Sequence, residues 1–324
     1  MLYPLKFEPI FKYRIWGGNK LKNILNKTEA PAKTGESWEI SGVEDSLSVV
    51  SNGPLAGNTI HELIEVYMGD LLGDQIYEKF GEEFPLLIKL IDANDILSIQ
   101  VHPGDELARE RHQAYGKTEM WYIIQAEAGS VLYTGFNREL DKEGYLNHLK
   151  NNTIKESLNL ETAKPGDVFF IPAGRVHATG AGILFAEIQQ TSDITYRIFD
   201  WNRVDIDGKA RELHTDLALD AIDFKIQKEY KTEYTREANG TREILTCDYF
   251  TTNIISLDKA MEKDYFEIDS FIIYMCIEGS FTIHSEKNQP THIKKGETVL
   301  IPAILNNIRL DPDGPTSILE VFIP

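Results

Sequence analysis

At 324 residues the chain can hold one to three domains around a sizeable core, and its 42% hydrophobic, 10% aromatic and 26% charged residues are ordinary for a globular protein. A formal net charge of −18 argues against nucleic acid and against a membrane surface as partners, because phosphates would be repelled over most of the molecule. It leaves room for a small anionic substrate, provided that individual Lys and Arg residues make one pocket locally basic.

The first six residues, Met1-Leu2-Tyr3-Pro4-Leu5-Lys6, lack the charged start, apolar core and cleavage site of a signal peptide. No apolar run approaches the ~20 residues that cross a bilayer. Cys247 and Cys276 supply neither a disulfide framework nor a cysteine zinc site, so a cytoplasmic location is expected.

Residues 1–57 carry turn signals such as Trp16-Gly17-Gly18-Asn19 and Asn52-Gly53-Pro54, with short β-like runs between them. Thr59 followed by Glu62 reads as a capping box and opens a helical stretch over 59–80, with His61 in its polar first turn and therefore on the surface. Strand patterning returns in Pro85-Leu86-Leu87-Ile88-Lys89-Leu90-Ile91-Asp92. Lys89 interrupts that apolar run, either snorkelling from an edge strand or pointing into a pocket.

The next strand, Ser98-Ile99-Gln100-Val101-His102-Pro103, alternates polar and apolar residues, so Ser98, Gln100 and His102 share one face. That face meets water on a surface strand or lines a site. Gly116-Lys117-Thr118-Glu119-Met120-Trp121 begins another strand, helices are expected within 139–160, and strands flank the turns at 164–167 and 172–174. Arg211-Glu212-Leu213-His214 is expected to open a helix through 222. The polar stretch 225–242 reads as a connection, and short strands fill the rest of the chain.

Two segments repeat. Lys164-Pro165-Gly166-Asp167-Val168-Phe169-Phe170-Ile171-Pro172-Ala173 matches Lys294-Lys295-Gly296-Glu297-Thr298-Val299-Leu300-Ile301-Pro302-Ala303. Only the first copy continues into His177 and is preceded by Glu119, so one working copy and one structural copy are expected. His284 and His292 of the second copy are taken as exposed.

Gln100, His102, Glu119 and His177 sit on strands or strand ends, and a small β-barrel could bring them to one interior point. Two imidazoles, a carboxylate and an amide oxygen suit a borderline divalent cation. The Gly166, Pro172, Gly174 and His177 pattern resembles the motif of the cupin β-barrel.

With the hexapeptide at Ser98, the Gly116-Lys117-Thr118-Glu119 segment and Ser192-Asp193-Ile194-Thr195-Tyr196-Arg197 added, the chain resembles the type I mannose-6-phosphate isomerases, in their compact bacterial branch. Trp16-Gly17-Gly18, Glu36-Ser37-Trp38-Glu39 and Arg211-Glu212-Leu213-His214 match in the same order. The resemblance implies a mainly β protein of two cupin-type β-barrel (jelly-roll) domains. The first, over 1–235, would carry helical insertions near 59–80, 139–160 and 211–222, and the second, over 236–324, would be degenerate and metal-free.

It further implies a zinc-dependent aldose–ketose isomerase interconverting mannose 6-phosphate and fructose 6-phosphate by proton transfer through a cis-enediol. Gln100, His102, Glu119 and His177 would hold one zinc ion. Arg197, Glu187 and Lys117 would be catalytic, with Glu187 and Lys117 both open as the base, and Ser98, Lys89 and Trp16 would contact the sugar phosphate. For Arg197 the structural alternative is an ion pair with Asp193 or Asp200. A monomer or weak homo-oligomer is expected. The competing functions are a non-catalytic carbohydrate-binding cupin and, further off, an iron cupin oxygenase.

Overall fold

The period-two patterns become four antiparallel sheets in the computed structural model, which describes residues 2–205, 208–285 and 288–324. The first barrel sets a six-stranded sheet against a five-stranded one. The larger sheet runs in the order Ile10–Gly18, Thr34–Ser41, Leu86–Ala93, Ile183–Gln190, Glu119–Ala126, Val168–Ile171. The smaller runs Tyr196–Phe199, Ile99–Val101, His177–Thr179, Val131–Phe136, Leu158–Thr162. A second barrel pairs six strands with four, and no helix among the described residues is long and apolar enough to cross a membrane.

The apolar run around Lys89 follows from burial on both faces of a central strand. Leu86, Ile88 and Leu90 point outward into a core shared with Ile254, Phe271 and Leu319 of the second barrel, whereas Ile91 and Ala93 face the interior of the first. Lys89 has the interior parity, so the edge-strand reading is replaced by a cation directed into the barrel. Ser98, Gln100 and His102 also face inward. Ile99 and Val101, on the other face, pack with Tyr145 of the Lys142–Lys150 helix and Ala218 of the Thr215–Ala221 helix. This strand is polar on the inside and apolar on the outside because helices cover its outer face.

The Thr59–Glu62 capping box is formed and starts the Ile60–Leu72 helix, with Asp74–Phe80 following. Two helical expectations need correction. Residues Ile154–Ser157 form only a 3-10 turn. The last helix begins at Thr215, because Arg211 is drawn aside to make two hydrogen bonds to Asp200 and the His214 N–H donates to the Arg197 carbonyl. Near the chain start, Leu5 and Lys6 reach across to pair with Leu300 and Val299 of the second barrel.

Strand register defines the repeat. Glu119 lies opposite Ile171 and Ile272 opposite Ile301, so Ile272 stands where the first barrel has Glu119. His177 faces Gln100 and Asn307 faces Asp264 at the corresponding pairing. Burying an isoleucine stabilises by about 2 kcal/mol, whereas a buried carboxylate costs several unless paired. The second copy therefore gains stability at the position where the first keeps a polar group.

Candidate metal centre and substrate cavity

His102, Glu119 and His177 converge inside the first barrel, all buried, with one nitrogen or oxygen of each within 4.8 Å of the others. His177 Nε2 is 3.5 Å from Glu119 Oε1 and His102 Nε2 is 3.7 Å from Oε2. Each imidazole donates Nδ1–H to a backbone carbonyl, His102 to Ile194 at 2.8 Å and His177 to Arg175 at 2.9 Å. Those bonds leave both Nε2 lone pairs facing the carboxylate, the orientation that second-shell carbonyls impose on metal-binding histidines. The turn before His177 depends on Gly174 at φ 87, where a Cβ would come within 2.9 Å of the Ala221 carbonyl.

Three atoms test whether the site suits a cation. His102 Nε2 and Glu119 Oε1 are buried with no hydrogen-bond partner, a costly state that a metal ion would relieve, and Glu119 Oε2 meets only the Lys117 ammonium at 3.0 Å. Burial, with Lys117 close by, holds His102 well below its usual value, and burial takes His177 down to about 4. Burial and the neighbouring Glu187 push Glu119 up to about 7, with Lys117 and Lys89 opposing. Neutral imidazoles beside a carboxylate form a nitrogen–oxygen donor set suited to zinc. Gln100 completes the group, its Nε2 lying 3.1 Å from His177 Nε2.

Gln100 and Lys117 connect this buried group to a cavity of about 450 Å³. Trp16, Lys89, Ser98, Glu187 and Arg197 line the same cavity, so every residue expected at the sugar phosphate is brought together. Five cationic side chains face four carboxylates around it, a locally basic pocket on a strongly acidic protein. Lys117 Nζ lies 3.0 Å from Glu119 Oε2 and 3.9 Å from Glu187 Oε1. Burial alone would lower Lys117, but Glu119 and Glu187 raise it above its usual range.

Glu187 is held from two sides, by Lys89 Nζ at 2.9 Å and by Trp121 Nε1–H at 2.9 Å. Burial would raise its carboxyl, yet Lys89 and Lys117 bring it below the ordinary value. Ser98 Oγ is 3.4 Å from Gln100 Oε1. Arg197 faces Gln100 in register and donates Nη1–H to the Glu212 carbonyl, while its buried Nε has no partner. Of the two expected alternative partners, Asp193 and Asp200, the latter is taken by Arg203 and Arg211.

Sequence reasoning assigned no role to Glu36, whose carboxylate accepts from Arg14 Nε at 2.7 Å and from Trp38 Nε1 at 2.7 Å. Burial raises Glu36, but Arg14 and Lys89 dominate and hold it at about 2. The available signal was parity: Glu36 and Trp38 share a face of one strand, and Trp38 pairs with Lys89.

The model of the type I phosphomannose isomerase catalytic domain matches residues 4–129, and that of the mannose-6-phosphate isomerase cupin domain matches 241–319. Mannose-6-phosphate isomerase ManA of Bacillus subtilis is 36% identical over 95% of this chain and 96% of its own length. A mannose-6-phosphate isomerase of Streptococcus mutans is 30% identical over 97% and 96%. The crystal structure of the mannose 6-phosphate isomerase from Bacillus subtilis matches with a TM-score of 0.89 at 30% identity, covering 99% of both chains.

Proposed function

The chain belongs to the type I phosphomannose isomerase family, and on that premise we propose that it interconverts mannose 6-phosphate and fructose 6-phosphate through a cis-enediol. The observation that carries this reading is the convergence of buried His102, Glu119 and His177, with His102 Nε2 and Glu119 Oε1 lacking any hydrogen-bond partner, behind a basic cavity. His102, Glu119 and His177 would hold one zinc ion. Gln100 would be the fourth ligand, since its amide, turned about its last bond, offers Oε1 in place of Nε2. Zinc bound there would act as a Lewis acid toward the sugar's oxygens.

The chain's own groups divide the remaining work. Glu187, held ionised by Lys89 and Lys117, is in the form that accepts a proton from C1 or C2. Lys117, kept protonated, is in the form that donates one. Arg197 keeps its charge and sets a guanidinium against the developing enediolate. Trp16, Ser98 and Lys89 form walls that orient the sugar phosphate. The second barrel, with Ile272 and Asn307 at the corresponding positions, would bind no metal. The reading includes a cytoplasmic monomer or weak homo-oligomer.

The test is a coupled assay for fructose 6-phosphate from mannose 6-phosphate, run on purified protein with chelator and after zinc is restored. Turnover abolished by chelator and recovered with zinc is expected. Zinc-loaded protein that binds the sugar phosphate without turning it over would replace this reading with the carbohydrate-binding one.

A further inference from the structure

We propose that the second barrel positions the catalytic loop of the first through Tyr249 and Asp105, which act as positioning residues for Lys117. Tyr249 lies in the turn between the Gly240–Thr246 and Thr251–Leu257 strands of the second barrel. Its hydroxyl donates to Asp105 Oδ2 at 2.8 Å, across the boundary between the barrels. Asp105 opens the Asp105–His112 helix of the first barrel.

The other Asp105 oxygen is committed to the loop. Oδ1 accepts the Gly116 N–H at 2.8 Å and Gln190 Nε2–H at 2.9 Å. Gln190 in turn accepts the Thr118 N–H through Oε1 at 2.9 Å, and its own N–H donates to the Thr118 carbonyl. The backbone is therefore held on both sides of Lys117, and the Lys117 N–H donates to the Pro103 carbonyl at 3.0 Å.

The fit at Gly116 is tight: a Cβ there would lie 2.5 Å from the Asp105 nitrogen. Lys117 Nζ reaches Glu119 Oε2 at 3.0 Å, so a shift of the 116–118 backbone moves both the cation and the adjacent carboxylate. Asp105 stays ionised in this setting. Burial raises its carboxyl, but the bonds from Gly116, Tyr249 and Gln190 outweigh it and hold it below the usual range. Small misplacements of catalytic groups reduce turnover more than binding. The degenerate barrel thereby acquires a task in the reaction.

The kinetic arm rests on the isomerase reading, and an amide-exchange arm does not. Full-length, zinc-loaded wild type, Tyr249→Phe, Asp105→Ala, Asp105→Asn and the Tyr249→Phe/Asp105→Ala double variant are compared. Tyr249→Phe is expected to lower kcat roughly tenfold, the low end of what one lost hydrogen bond to a charged group is worth, with KM little changed and zinc content retained. Asp105→Ala is expected to lower kcat further, the double variant to be no worse than Asp105→Ala, and Asp105→Asn to recover most of the loss. Hydrogen exchange at residues 116–118 should quicken in Tyr249→Phe and Asp105→Ala. Should Asp105→Ala fail to fold, Tyr249→Phe alone decides. Unchanged kcat and unchanged exchange in Tyr249→Phe would overturn the inference, as would losses that multiply in the double variant. A wild type without turnover would count against the isomerase reading, while the exchange data would still decide this one.

Discussion

Glu187 and Glu320 occupy the same register position in the two barrels. Glu187 lies opposite Trp121 and Lys89, and Glu320 opposite Tyr274 and Asn253. Both are buried, and both are paired with a lysine, Lys89 at 2.9 Å and Lys263 at 2.7 Å. The repeat keeps its interior carboxylate in the copy that has no counterpart of His177 or Glu119.

That pairing separates stability from chemistry. Glu320→Gln leaves Lys263 without its counter-charge in a dry site, so a loss of about 3 kcal/mol in unfolding free energy is expected, with kcat intact. Glu187→Gln is expected to abolish most turnover. Denaturant titration alongside steady-state kinetics checks both, and equal kinetic losses in the two variants would refute the division.

His177→Ala should lose zinc and activity together, because His177 Nε2 points at Glu119 and no other imidazole besides His102 reaches that point among the described residues. Metal analysis after dialysis reads the first effect and the coupled assay the second. A variant that retained a full equivalent of zinc would move the ligand set elsewhere.

Arg197→Ala is expected to keep zinc and lose about 100-fold or more in kcat, the size seen when one preorganised group at a developing anion is removed. Arg197→Lys should recover little, since a lysine cannot both reach the Glu212 carbonyl and present a planar donor pair. Loss of metal in Arg197→Ala would instead mark the arginine as structural.

Lys89→Met tests how Glu187 is kept ionised. Lys89 is the foremost charge lowering the Glu187 carboxyl, so its removal raises that pKa, and the base is then protonated at higher pH. The acid limb of the kcat/KM profile should move to higher pH. An unmoved limb would remove Glu187 from the role of base.

Glu36 is expected to contribute to acid stability. Its carboxyl stands at about 2 in the folded chain against an ordinary 4.5. A depressed folded value gives stability that is fully present above the unfolded pKa and is lost as pH falls through the folded one. The contribution is at most on the order of 3 kcal/mol, and it should disappear between pH 4.5 and 2. Calorimetry is expected to show a smaller drop in Tm over that window for Glu36→Gln than for wild type.

Much of the site was legible in the chain. Alternation placed Ser98, Gln100 and His102 on one face, and the repeat isolated Glu119 and His177 by their absence from the second copy. The parity of Lys89 was visible too, but not which side of a doubly buried strand was the interior; that was decided when Leu86, Ile88 and Leu90 packed against the second barrel. The Glu36–Arg14 pair escaped notice because it joins neighbouring strands of a sheet whose register local pattern does not specify. The helix expected from Arg211 failed for a similar reason: bonds to Asp200 and Arg197, distant in pattern though close in space, outweighed local propensity.

The strand formed by Leu5 and Lys6 has an implication for synthesis. Its partners, Leu300 and Val299, are synthesised almost three hundred residues later. Leu5 and Lys6 must wait, unpaired, until that strand of the second barrel has emerged, and the core shared by Leu5 and Leu319 closes only afterwards. Folding of both barrels is thus completed by one late event, and a nascent chain halted after the first barrel would expose an apolar face to chaperones and proteases.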